Sequence, residues 1–118
     1  GSLSQIDAQH AYWINTTSFD PLEVAIPPIA AAALPPTVPV SAGWNLIPVI
    51  DTTGTVAAGA NLPSNIAEYL AGVDASRAYR YQPLTGSFAG LVLTGAPSAI
   101  EVGEGLWVFV NEAGTIVP

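Results

Sequence analysis

A chain of 118 residues, half of them apolar, has material for one buried core, yet only 9% of its residues are charged, against about a quarter in ordinary soluble domains. Nine carboxylates face two arginines, Arg77 and Arg80, for a net charge of -7; this balance excludes nucleic-acid binding by phosphate neutralisation and disfavours an anionic membrane surface. No cysteine is present, so disulfides and thiolate metal sites are ruled out.

Gly1-Ser2 has the look of a cloning remnant, so targeting segments are expected outside this sequence. No apolar run reaches the roughly 18 residues of a membrane span, and no membrane insertion is expected. Gln9 to Thr17 gathers aromatic and β-branched residues, which predicts a strand. Ser18-Phe19-Asp20-Pro21 reads as a turn, and Leu22 to Ile26 alternates apolar with polar or small side chains. Together they predict an opening hairpin.

Pro27 to Pro39 holds five prolines around an Ile-Ala-Ala-Ala-Ala-Leu stretch. Proline removes ladder donors, and six residues are too few for an isolated helix, so a semi-rigid connector is expected. Gly43 to Ile50 then reads as a buried strand, with Pro48 pointing to a sheet edge or a bend. Asp51-Thr52-Thr53-Gly54 is a turn. Leu62 to Val73 carries the helix signal, with Ser64 as N-cap, Asn65 as its rival, and Gly72 placed for a C-terminal cap.

Ala75 to Gln82 and Ser87 to Leu93 flank Pro83-Leu84-Thr85-Gly86, which predicts a hairpin. Within its first strand Arg77, Tyr79 and Tyr81 share one face, and Arg80 points to the other. Leu106 to Asn111 is a further strand, and Glu112-Ala113-Gly114 turns the chain into Thr115-Ile116-Val117. The fold class expected is all-β, a small antiparallel sandwich or barrel-like module with one short helix. Residues 1–27 form its preceding hairpin segment, 28–40 the connector and 41–118 the module itself.

Tyr12-Trp13-Ile14, a turn and Leu22-Glu23-Val24 echo Leu106-Trp107-Val108, a turn and Thr115-Ile116-Val117. The opening segment therefore reads as the tail of a preceding repeat, or as a hairpin completing this module's sheet.

Three stretches carry a resemblance. They are Gly43-Trp44-Asn45-Leu46, Tyr79-Arg80-Tyr81-Gln82-Pro83-Leu84-Thr85-Gly86, and Gly103-Glu104-Gly105-Leu106-Trp107-Val108. In order and spacing, residues 41–118 resemble a β-rich module of bacterial and archaeal secreted, cell-surface and surface-layer-type proteins. Two departures are Gln82, where the family often has Asp, and Leu106-Trp107, where it usually has an aromatic pair. The resemblance implies a stalk, surface-layer or accessory role and transfers no catalytic residue.

Catalysis by a triad would have to use His10, the lone histidine, which lies outside the module. Glu101 and Glu104 flank turn glycines, as a solvated hairpin shoulder does, so no catalytic site, and hence no enzyme, is expected. Calcium is the one cofactor with candidate ligands, at Asp51, Asp74, Glu101 and Glu104, although no loop shows an EF-hand or repeat-type ligand spacing. Solvated acidic surface is the favoured reading of these residues. Trp13, Trp44, Tyr79, Tyr81 and Trp107 are the aromatics available for ligand or partner contact. Core packing is expected of them before a sugar platform, because strand aromatics usually fill cores. Asn15-Thr16-Thr17 is a glycosylation sequon, making Asn15 a modification candidate. The function expected is a structural or interaction module of a surface assembly, partnered by neighbouring repeats or subunits, with a carbohydrate-binding module as the alternative.

Overall fold

The computed structural model describes residues 10–15, 17, 37–50 and 65–117. It is an all-β sandwich of two antiparallel sheets with one short helix. Strand β1 (Val38–Val40) pairs with β6 (Gly114–Ile116) in the smaller sheet. The larger sheet runs in the order β2 (Gly43–Pro48), β5 (Gly105–Val110), β3 (Ala75–Gln82), β4 (Ser87–Gly90). Helix α1 (Ile66–Tyr69) is a single turn between β2 and β3. None of the described helices is long and apolar enough to cross a membrane.

The core is the inner side of both sheets. Val38, Val40 and Ile116 from the smaller sheet meet Ile47, Ala78, Leu106, Val108 and Val110 from the larger one. Ile66, Tyr69 and Leu70 of α1 and the loop residue Ile100 complete it. Strand β5 lies between β2 and β3, and its Leu106, Val108 and Val110 are essentially free of solvent contact. This strand alternates large apolar residues on both faces, as a central strand covered on one side and crowded on the other requires.

Several local predictions hold. Strand β3 has the expected bounds, and Gly86 closes the turn before β4 with φ +67°, its N–H bonded to the Gln82 carbonyl at 2.9 Å. Only a residue without Cβ adopts that backbone without strain. Strand β2 is an edge strand and stops at Pro48, the residue that cannot donate to a ladder. Gly43 (φ +102°) and Asn45 explain the start of β2. The Asn45 side chain accepts from Ser41 N–H at 3.0 Å and donates to the Ser41 and Gly43 carbonyls at 2.8 and 3.0 Å, fastening the bend that passes the chain from one sheet to the other.

Other predictions need correction. Residues 10–15 belong to no strand, whereas their sequence echo in 106–111 builds β5, so at the described residues the two stretches are unlike. The second strand of the expected opening hairpin, Leu22 to Ile26, lies outside the described residues, as does most of the connector. The connector's last residues form β1, with Pro39 in the ladder; its ring is exposed and the strand has a single neighbour, the setting in which proline is tolerated. Strands β5 and β6 follow one another without pairing, because β6 crosses to the other sheet to meet β1. The helix is shorter than its pattern: Asn65 is the N-cap, its side chain accepting from Glu68 N–H, and Leu70 is the C-cap. Gly72 is not among the glycines with positive φ, so it serves no αL cap. Strand β4 ends at Gly90 instead of Leu93.

Candidate interaction face

Alternation along each strand of the larger sheet sends one set of side chains into the core and the other set outward. The outward set is mostly aromatic, with Leu46 and Arg77 among it. Register places Trp44 opposite Phe109, Tyr79 opposite Trp107, and Phe88 opposite Tyr81. A bulge between Ala75 and Arg77 is needed for this arrangement. It lets Ala75 sit opposite Val110 on the core side while Arg77 sits opposite Phe109 on the outer side, which a regular strand could not do for residues two apart.

Strand aromatics were expected to fill the core; the structure puts them on the outer face. The core side of β5 is taken by Leu106, Val108 and Val110, so Trp107 and Phe109 must face away. Trp44, Tyr81 and Phe88 are 48%, 40% and 51% exposed. Trp13 joins them from outside the sheet: its ring packs edge-on against Tyr81 at 4.9 Å and Phe88 at 5.8 Å, leaving it 52% exposed. All five aromatics singled out from the sequence thus lie on one face. Phe88 and Phe109 were missed. Both were legible: Phe109 lies two residues after Trp107, and the Pro83–Gly86 turn pairs Gln82 with Ser87, which sets Phe88 beside Tyr81.

Trp44, Tyr79, Phe88 and Trp107 line an open groove of about 480 Å³. The rings of this face meet at inclined angles, with 45° between Trp44 and Tyr79, 77° between Trp44 and Phe109, and 60° between Tyr81 and Phe88. The Arg77 guanidinium lies 5.7 Å from the Trp44 ring centre and 5.2 Å from that of Phe109, within cation–π range of both. Arg80, on the inner side, is committed elsewhere. Its Nη2 donates to the Ala99 carbonyl at 2.7 Å and to Glu104 Oε2 at 3.2 Å. Its Nε stands 3.0 Å from Glu104 Oε1, an ion-pair approach without hydrogen-bond alignment. Glu104 Oε2 also accepts from Glu101 N–H at 2.7 Å, so this carboxylate clamps its own turn to β3.

The remaining candidates do not assemble. His10 is exposed, its ring 6.4 Å from that of Tyr12. Asp51 lies outside the described residues. Asp74, Glu101 and Glu104 join no cluster of three acidic or histidine groups able to hold a metal among the described residues. Asn15 is exposed. In comparison with known proteins, no family model, no curated protein and no solved structure matches this chain.

Proposed function

We propose that this chain is a non-catalytic structural or interaction module of a larger extracellular or surface-assembly protein, docking neighbouring repeats or subunits through the outer face of its larger sheet. One observation carries the reading: the sheet's aromatic residues turn away from the core, Trp44, Tyr81 and Phe88 among them stay about half-exposed, and an arginine lies within cation–π range of two of the rings. Trp, Tyr and Arg are the side chains that dominate interface centres, and a contiguous exposed apolar face marks a contact surface. The resemblance of residues 41–118 to modules of surface-layer-type and secreted proteins supports the extracellular placement.

Sedimentation velocity over a concentration series tests this reading. The expected result is reversible self-association that is lost in the Trp44→Ser, Phe88→Ser double variant while the far-UV spectrum is unchanged. A chain that stays monomeric throughout, and is unaltered by deletion of residues 1–27, would count decisively against the proposal.

A carbohydrate-binding accessory module is the second reading, favoured by the exposure of Trp13 and Trp44. Sugar stacking wants ring faces presented flat, and the steep interplanar angles here argue for interdigitation with side chains instead. Fluorescence titration with polysaccharides separates the two: a saturable change would favour the sugar.

A further inference from the structure

The groove has a length, two unlike ends and one charge. Its lining comes from β2 (Trp44), β5 (Trp107), β3 (Tyr79) and β4 (Phe88), so it crosses the full width of the larger sheet. Adjacent strands lie about 4.8 Å apart, so three spacings carry it roughly 14 Å across the sheet. Trp44 is level with Arg77 and Phe88 with Tyr81, further along β3. The groove therefore runs obliquely over roughly 19 Å, which an extended chain at about 3.3 Å per residue fills with about five to six residues. At the β4 end, Trp13 packs on Phe88 and Tyr81 and bounds the groove. At the other end Arg77 of β3 reaches across the outer face, its guanidinium 5.2 Å from the Phe109 ring centre and 5.7 Å from that of Trp44.

Charge complementarity identifies what belongs at that end. Arg77 has no carboxylate partner among the described residues. Its contacts with Trp44 and Phe109, whose planes stand 77° apart, are with ring systems that accept no strong hydrogen bond, so its N–H donors remain to take a carboxylate in two parallel hydrogen bonds. Neighbours of the same assembly would be rich in carboxylates, since each copy of this chain has nine against two arginines, one of which is held by Glu104.

We infer that the groove receives an extended apolar segment of a neighbouring polypeptide, about five to six residues long, with an Asp or Glu side chain at one end paired to Arg77. The inference rests on reading this face as an interface and names the chemistry of what it holds. The apolar residues of the segment lie against Trp107, Tyr79 and Phe88. Because the groove is open, the segment's backbone keeps water on its outer side and needs no ladder partners.

Two pentapeptides test this on the whole chain, with binding read by tryptophan fluorescence and calorimetry. One is acetyl-Glu-Leu-Phe-Val-Glu-amide, which offers a carboxylate in either direction of entry; the other replaces both Glu by Gln. The Glu peptide is expected to bind about five-fold more tightly, a preference that shrinks in high salt. In Arg77→Gln that preference vanishes, with the Gln peptide bound as before, and in Trp44→Ser both peptides weaken. Equal affinity of the two peptides for the unaltered chain overturns the role of Arg77 and leaves the interface reading standing. Failure of both to bind overturns the inference, and the sedimentation series then decides separately whether the face is an interface at all.

Discussion

Tyr69 shows how one side chain ties the helix to the sheet. Its ring is buried in the core while its hydroxyl donates to the Pro48 carbonyl at 2.6 Å and accepts from Ile50 N–H at 3.3 Å. The two bonds hold the chain where β2 ends. Burial, which disfavours the phenolate, pushes its pKa up to about 12, against a smaller lowering by the Ile50 N–H. The linkage sign follows from the proton count. Between pH 10 and 12 the unfolded tyrosine has lost its proton and the folded one keeps it, so stability falls as pH rises. The contribution is whole below about pH 10 and lost by about pH 12. Tyr69→Phe is expected to cost about 1–2 kcal/mol at neutral pH and to flatten this alkaline decline, both measurable by urea denaturation at a series of pH values. A variant that declines as steeply as the unaltered chain would show that another group is responsible.

At the scale of elements, the passage between sheets at Ser41–Asn45 does the most with the fewest residues. Gly43 supplies the positive φ and Asn45 holds the bend through three hydrogen bonds to the backbone. The outcome is that Trp44 stands on the outer face and Ile47 in the core. The Gly-Trp-Asn sequence thus has a mechanical reason in each position. Asn45→Ala leaves the bend's polar groups to water and is expected to cost about 1–2 kcal/mol, seen as a lower urea midpoint with an unchanged slope. The opening segment is the contrasting case. Its aromatic and β-branched composition suited a strand, but its described residues reach the body through Trp13 packing on Tyr81 and Phe88. Composition reported that an aromatic of the segment would meet the body, and it misreported the conformation in which it does so.

For the molecule as a whole, the smaller sheet matters because it gives the larger one an inside. Val38, Val40 and Ile116 cover Ile47, Leu106, Val108 and Val110, and together with α1 and Ile100 they make one face of the larger sheet the inside. Ile116→Ala is expected to cost about 2–4 kcal/mol through the cavity it leaves. Because both sheets share one core, circular dichroism and tryptophan fluorescence should report a single coincident unfolding transition. Separate transitions would mean that the two sheets are stable independently.

What the residues determined by themselves was local: β3 and its hairpin, the narrowing of β2 by Pro48 to an edge strand or a bend, the all-β class, and the sharing of a face by Arg77, Tyr79 and Tyr81. Period-two alternation sorts side chains into two sets and is silent on which set faces the core. In β5 both sets are apolar, Leu106, Val108 and Val110 against Trp107 and Phe109, so no transfer argument separates them. Only the packing of the second sheet onto the aliphatic set chose, and that choice turned the aromatics outward. The same long-range step took β6 away from β5 and across to β1, because burying Ile116 beside Val38 needs residues nearly eighty positions apart to meet, which no local pattern encodes.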